Sequence, residues 1–327
     1  MNAYFTIVLI SVVLFFVVWG LGWFLERLSH MALQVTRKPG SRAWYALVGP
    51  GVALHESSHA LGCVFTRTEI VEFKPVNIEV QGDQVVLGYV KYVNPPSTLK
   101  RTIINLAPVA VSLALLTFFA LAATYLIPDS HLGGDALTLL HNLIFMKSDP
   151  VALADSLAPL VAIGNFVYQF FYTFGQLTVV NPLFWIISFL AMTIMFSNAP
   201  SGLDISNALP GLKFIIAFDL IWLVIAYLFP EAGWLAFGVF ELLAVMFSLA
   251  LGFAAIAYGF FIMITSMARL RSPYNILPFA ACIGVGFGMA VYEQGAVSPV
   301  HQTLLAIAAF VIVILPLLMI KRLRVQA

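Results

Sequence analysis

The stretch LVGPGVALHESSHALGCVF, residues 47–65, sets His55, Glu56 and His59 inside an otherwise apolar segment. Residues four apart lie on one face of an α-helix, so both imidazoles can reach a single tetrahedral Zn2+ ion. Glu56, next to the first histidine, then stands beside a metal-bound water without ligating. Zinc lowers the pKa of that water to about 7, and a neighbouring carboxylate can take its proton and hand it to a leaving amine. With six His in 327 residues, a chance H-E-x-x-H match is rare. Without a function, three ionisable groups would sit in a membrane segment at an energetic cost.

A catalytic zinc ion usually has three protein ligands and an open position. Asp204 is the leading candidate for the third. It stands in SNAPSGLDISNALPG, residues 197–211, where Asn198, Pro200, Ser201 and Gly202 interrupt an apolar helix. Non-helical backbone at membrane depth is tolerated only where it is buried in protein or lines a cavity. The plainer alternative is a polar loop with a solvated aspartate. Cys63 follows His59 by four residues but lies one turn too far along, and reads as a small buried thiol. Asp219 and Glu241 are lone acids in apolar spans, suspects for that reason, although pairing with another helix explains them equally. His30, His131, His141 and His301 fall in loops or at span ends and read as solvated.

These residues must be positioned by a membrane protein. Hydrophobic residues make up 61% of the chain and charged residues 9%, with a mean hydropathy of +0.99, outside the range of a soluble domain. A crossing helix needs about 20 mostly apolar residues. Windows of that kind lie near 3–24, 44–66, 102–127, 182–199, 213–229, 233–266, 275–292 and 301–320. The fold expected is an all-α polytopic membrane protein of about eight transmembrane helices, with a small β-hairpin segment after the metal-binding helix. The first 24 residues lack a basic start and a cleavage signal, and read as a retained span. A net charge of +1 points to no nucleic-acid partner. The two cysteines, both in apolar helices, define no disulfide framework.

Between the spans, 25–43 reads as a basic connector closed by Pro39-Gly40. Segment 67–101 is β-rich: Val76, Ile78 and Val80 alternate with Asn77, Glu79 and Gln81 before a turn at Gly82-Asp83. Exposed strand edges in 68–93, at Val86 and Val90 for example, could hold an extended peptide. Residues 128–155 read as an acidic loop, and 156–178 as a re-entrant or interfacial helix.

The pattern resembles the site-2 proteases, intramembrane zinc metalloproteases that cut membrane-anchored proteins. His55-Glu56-Ser57-Ser58-His59 in a transmembrane helix is the most specific match. Asn198-Ala199-Pro200-Ser201-Gly202-Leu203-Asp204 is similar to the family's N-x-x-P…L-D-G segment, and Ala107-Pro108 through Ser112 is similar to its G-P-x-x-N. Ile205, Ala107 and Val111 depart from those patterns, which puts altered substrate handling in play. The resemblance implies one Zn2+ held by His55, His59 and Asp204, with Glu56 as general base. It also implies a membrane-anchored protein or peptide as substrate and a β segment against the active site. The parts would be a first helix with connector (1–43), a catalytic core (44–211) and additional spans (212–327). Within the core come the metal helix 44–66, the β-rich segment 67–101, the span 102–127, an extracytoplasmic and re-entrant part 128–181 and the ligand segment 182–211.

For the ligands to share one depth, 156–178 must not cross. With both termini cytoplasmic at the cell membrane, eleven of the 16 Lys and Arg then lie inside, as the positive-inside rule asks, while the basic 25–43 counts against it. Two other classes stay open. One is a membrane-anchored zincin acting on exposed peptides, with Glu241 as third ligand; the other is a catalytically inactive scaffold or metal transporter.

Overall fold

In hydrocarbon every backbone N–H and C=O must be satisfied within its own segment, so a chain this apolar resolves into helices. The computed structural model describes residues 1–36, 42–77, 79–81, 84–126, 132–292 and 296–326. Among them are eleven α-helices: α1 (Ala3–Thr36), α2 (Arg42–Thr66), α3 (Thr98–Leu126), α4 (Leu132–Ser148), α5 (Pro150–Ala154), α6 (Ala158–Gln176), α7 (Pro182–Ser197), α8 (Gly202–Leu228), α9 (Val239–Ala268), α10 (Leu277–Tyr292) and α11 (Pro299–Gln326). Six segments are long and apolar enough to cross a membrane: Ala3–Ser29, Thr98–Tyr125, Gly202–Leu228, Val239–Ala268, Tyr274–Tyr292 and Pro299–Ile320. The chain is an integral membrane protein on that criterion. Of the other two expected spans, α2 is made less apolar by its own His-Glu-Ser-Ser-His run, and α7 has 16 residues, about 24 Å of helix.

Four local differences from the sequence expectation have physical causes. Helix α1 continues through the supposed connector to Thr36, because residues 25–36 contain neither proline nor glycine to stop it. The supposed loop 128–155 holds α4 and α5 in its described part. Two of its acids serve as caps: Asp149 Oδ1 accepts from the N–H groups of Val151 and Ala152, and Asp155 Oδ1 from those of Leu157 and Ala158. The polar interruption near Asp204 is only residues 198–201, after which α8 runs on through Pro210 and Lys213. Finally, the span expected from 233 begins at Val239, since Pro230–Ala236 form a 3-10 turn and Gly238 takes a φ of +79°. Pro39-Gly40, Ile78, Gly82-Asp83 and His131 lie outside the described residues.

Segment 67–101 holds four short strands. β1 (Ile70–Lys74) pairs antiparallel with β4 (Tyr89–Tyr92), with an irregularity between Ile70 and Glu72. β2 (Glu79–Gln81) pairs with β3 (Gln84–Val86). Of the strand expected from Val76, β2 covers Glu79–Gln81, and ahead of it the Asn77 N–H bonds the Leu87 carbonyl at 2.7 Å. On the outer face Glu72 meets Lys74 at 2.9 Å and Lys91 at 2.8 Å and accepts from the Tyr89 hydroxyl at 2.7 Å. The lysines, Lys91 first, hold the Glu72 carboxyl down to about 2.

The chain forms two compact units. The first comprises Met1–Val167 and Thr193–Ala254, the second Tyr168–Met192 and Ala255–Ala327. The second has an apolar cavity of about 460 Å³ whose Ser188 and Thr303 hydroxyls are spent on the carbonyls of Phe184 and Gly175. In the first, α2 packs on α3, and α3 on α8.

Also in the first unit, Lys147 Nζ lies 2.7 Å from Glu241 Oε1, with side chains 3% and 0% exposed. Tyr4 and Trp234 rings flank the ammonium, and the Gly233 carbonyl accepts from it at 3.3 Å. Glu241 is therefore the helix-pairing acid, bound to α4. Removing one partner leaves a bare buried charge. Lys147→Met is expected to lower stability by about 3–5 kcal/mol, and Lys147→Met with Glu241→Leu to recover most of it. Thermal unfolding in detergent checks both; equal loss in the single and double variants would refute the coupling.

Candidate metal centre

Helix α2 presents His55 and His59 on one face, one turn apart, as their spacing requires. The third group arrives from the next break in the bundle. α7 ends at Ser197, and α8 restarts with a capping box in which the Ser201 hydroxyl accepts from the Asp204 N–H at 3.1 Å and Asp204 Oδ2 accepts from the Ser201 N–H at 2.8 Å. Asn198 steadies the break from the other side, donating to the Val18 carbonyl at 3.2 Å. Asp204 thus sits in the first turn of α8, and its carboxylate faces the two imidazoles.

Asp204 Oδ1 lies 3.1 Å from His59 Nε2, and Oδ2 lies 3.3 Å from His55 Nε2. The two Nε2 atoms are 3.0 Å apart. All three residues are buried, at 9%, 4% and 7% exposure for His55, His59 and Asp204. Protonation can be read from the far side of each ring. His55 Nδ1 is 2.8 Å from the Ser197 carbonyl, and His59 Nδ1 is 2.8 Å from the Ile104 carbonyl. A carbonyl only accepts, so each Nδ1 carries a proton, and each Nε2 is the nitrogen that faces Asp204.

Two imidazole Nε2 atoms and a carboxylate therefore converge within 3.3 Å. The carboxylate is balanced either by a proton on an imidazole or by a cation among the three. The ligands of a tetrahedral zinc, with bonds of about 2.0–2.1 Å, stand about 3.3 Å from one another, so the spacing fits. His55, His59 and Asp204 could hold a metal ion, and they form the sole such group among the described residues. Carbonyl support of the distal imidazole nitrogen is the usual arrangement behind ligating histidines.

Glu56 is half-buried and outside the ligand group. Its carboxylate lies near the backbone N–H of Val90 on β4 and close enough to His55, His59 and Asp204 to feel their charge. The segment leading into β4 passes directly over it. A Cβ added at Gly88 would stand 3.2 Å from Glu56 Cγ and 2.6 Å from the Pro75 carbonyl, so a side chain does not fit there. Tyr92, further along β4, meets the buried Asn105 through its hydroxyl at 3.3 Å.

The remaining candidates stay apart from this group. Cys63 is a buried free thiol. Asp219 is 15 residues along α8 from Asp204, about 22 Å of helix, and is partly exposed. Glu241 is engaged with Lys147, which removes it as third ligand. His141 and His301 are exposed, the latter with its Nδ1 2.6 Å from the Ser298 hydroxyl; no side-chain position is described for His30. Sequence inspection missed the two supporting carbonyls, the Val90 contact and the Tyr92–Asn105 pair. The break after Ser197 could have signalled one carbonyl, since a helix end leaves its last carbonyls free. Nothing local announces Val90.

Compared with protein-family models, curated proteins and solved structures, the chain matches none of the three.

Detergent-purified protein is expected to carry one divalent ion per chain, and both His55→Ala and Asp204→Ala to lose it. Elemental analysis checks this. Full metal content in Asp204→Ala would take the aspartate out of the site. Chelation should lower the unfolding midpoint of the wild type and leave that of Asp204→Ala unmoved, because only the wild type has a stabilising ion to lose.

Proposed function

We propose that the protein is an intramembrane zinc metalloprotease of the site-2 protease kind, hydrolysing peptide bonds of membrane-anchored proteins or peptides. The observation that carries this is the 3.0–3.3 Å convergence of His55, His59 and Asp204 beside a carboxylate, Glu56, that is not a ligand. Bound zinc supplies Lewis acidity and brings the pKa of water to about 7. Imidazole and carboxylate ligands suit other divalent ions too, and zinc is chosen by availability.

In this reading Glu56 accepts a proton from the attacking water at its carboxylate and delivers it to the departing amine. The Val90 N–H stands near that carboxylate and sets a partial positive charge beside it. Peptide hydrolysis within a membrane needs the substrate unwound, and an exposed strand edge is a ready template for an extended chain. In this reading the β1–β4 and β2–β3 pairs, whose chain passes over Glu56 at Gly88, supply that template.

Eight crossings are reached by adding α2 and α7 to the six long apolar helices. The 25 residues of α2 suffice in length, and α7 is largely buried among its neighbours. With α6 kept out of the count as an interfacial helix, both termini fall on one side, the cytoplasmic face of the cell membrane. The second half of α2 then sets His59 about 10 Å from the helix end, since α2 stops at Thr66. A zincin with Glu241 as ligand is disfavoured by that acid's pairing with Lys147, and a transporter by the absence of a second ligating group among the described residues.

Glu56→Gln is expected to retain the ion and the unfolding midpoint while cleavage of a membrane-anchored substrate falls by at least about 10²-fold. Loss of metal together with activity would make Glu56 a ligand and sink the mechanism. Strand addition is tested best at Val86, because proline at Val90 would also remove the N–H near Glu56. Val86→Pro should reduce cleavage at full metal content, and unchanged turnover would exclude edge pairing there.

A further inference from the structure

We propose that Pro108 is a positioning residue of the metal centre, acting through the backbone carbonyl of Ile104 on His59; this rests on the metal-binding reading of the site above. In an α-helix the N–H of each residue bonds the carbonyl four residues earlier. Residue 108 is a proline inside α3, so the carbonyl of Ile104 is deprived of its helical donor. The same carbonyl accepts from His59 Nδ1 at 2.8 Å. His59 supplies the proton that the helix withholds.

Two further features fit this role. Proline's ring crowds the carbonyl four residues back and turns it off the helix axis, which aims the oxygen outward to a neighbour. α2 is close enough to receive it. A Cβ added at Gly62, one turn beyond His59, would stand 3.0 Å from both Ile104 Cα and Ala107 Cβ. The glycine therefore lets the two helices meet at the very turn where the hydrogen bond forms.

The arrangement at His55 is parallel. Ser197 closes α7, and the residue four positions on, Ser201, gives its N–H to Asp204 and not to the Ser197 carbonyl. That carbonyl takes His55 Nδ1 instead. Both imidazoles are thus held by carbonyls released from helical bonding, one by a helix end and one by a proline. Fixing the proton on Nδ1 commits Nε2 to the metal side, and losing such support typically weakens metal affinity about 10- to 100-fold.

An alanine at 108 restores an N–H that competes with His59 for the Ile104 oxygen. The test uses full-length protein in detergent, with Pro108→Ala, Gly62→Ala and, as control, Pro316→Ala, a proline inside α11 far along the chain from the ligands. Zn2+ affinity of the metal-free protein is measured by chelator competition. The tautomer of His59 is read from ¹⁵N-histidine NMR of the metal-free protein, the signal being assigned by its loss in His59→Gln. Pro108→Ala and Gly62→Ala are expected to weaken Zn2+ binding about 10- to 100-fold and to move His59 away from the pure Nδ1–H form. Pro316→Ala should leave both unchanged. Pro108→Ala with wild-type affinity and a wild-type tautomer would overturn the proposal, as would an equal loss in Pro316→Ala. A wild type that binds no Zn2+ overturns the metal reading instead, and the tautomer shift then still decides the role of Pro108.

Discussion

The first unit turns on one electrostatic constraint: two imidazole nitrogens and a carboxylate meet within 3.3 Å in a buried place. In a low-dielectric interior that carboxylate needs positive charge beside it, and the three groups could take it from a metal ion. Everything that keeps the three groups from turning away is therefore part of the site. The two carbonyls at 2.8 Å prevent the rings from rotating, and the capping box holds the carboxylate. A metal ion would meet groups already arranged for it.

Much of that support comes from backbone that helices have not used. Membrane helices ordinarily satisfy themselves, and a free carbonyl or N–H among them is costly. Here the break at 198–201 frees the Ser197 carbonyl for His55, and a proline in α3 leaves the Ile104 carbonyl to His59. Lys147 and Glu241 obey the same economy elsewhere in the unit: each neutralises a charge that neither helix could carry alone.

How much of this was legible in the sequence depends on the range of the interaction. His55, Glu56 and His59 could be read at once, because a spacing of four on a helix fixes their relation without reference to the rest of the chain. Asp204 was legible through its neighbours, since Asn198, Pro200 and Ser201 mark a helix interruption that hydrocarbon does not tolerate idly. The apolar spans were visible, but not every boundary. Residues 128–155 looked like a loop because Asp149 and Asp155 are charged, and the same charges turned out to be helix caps. The end of α1 was misplaced because hydropathy marks where the apolar stretch stops and helix propensity where the helix stops. Pairings such as Val90 with Glu56, Lys147 with Glu241 or Asn198 with Val18 join distant parts of the chain and leave no periodic trace.

Asp204 holds two offices with a single side chain. The oxygen that caps the start of α8 is the one that faces His55, so the first turn of that helix and the occupancy of the centre share an atom. Anything that pulls on the carboxylate also pulls on the seam between α7 and α8, and any motion of that seam shifts the oxygen that faces His55. A membrane helix's point of origin and a place fit for a cation are thereby mechanically one.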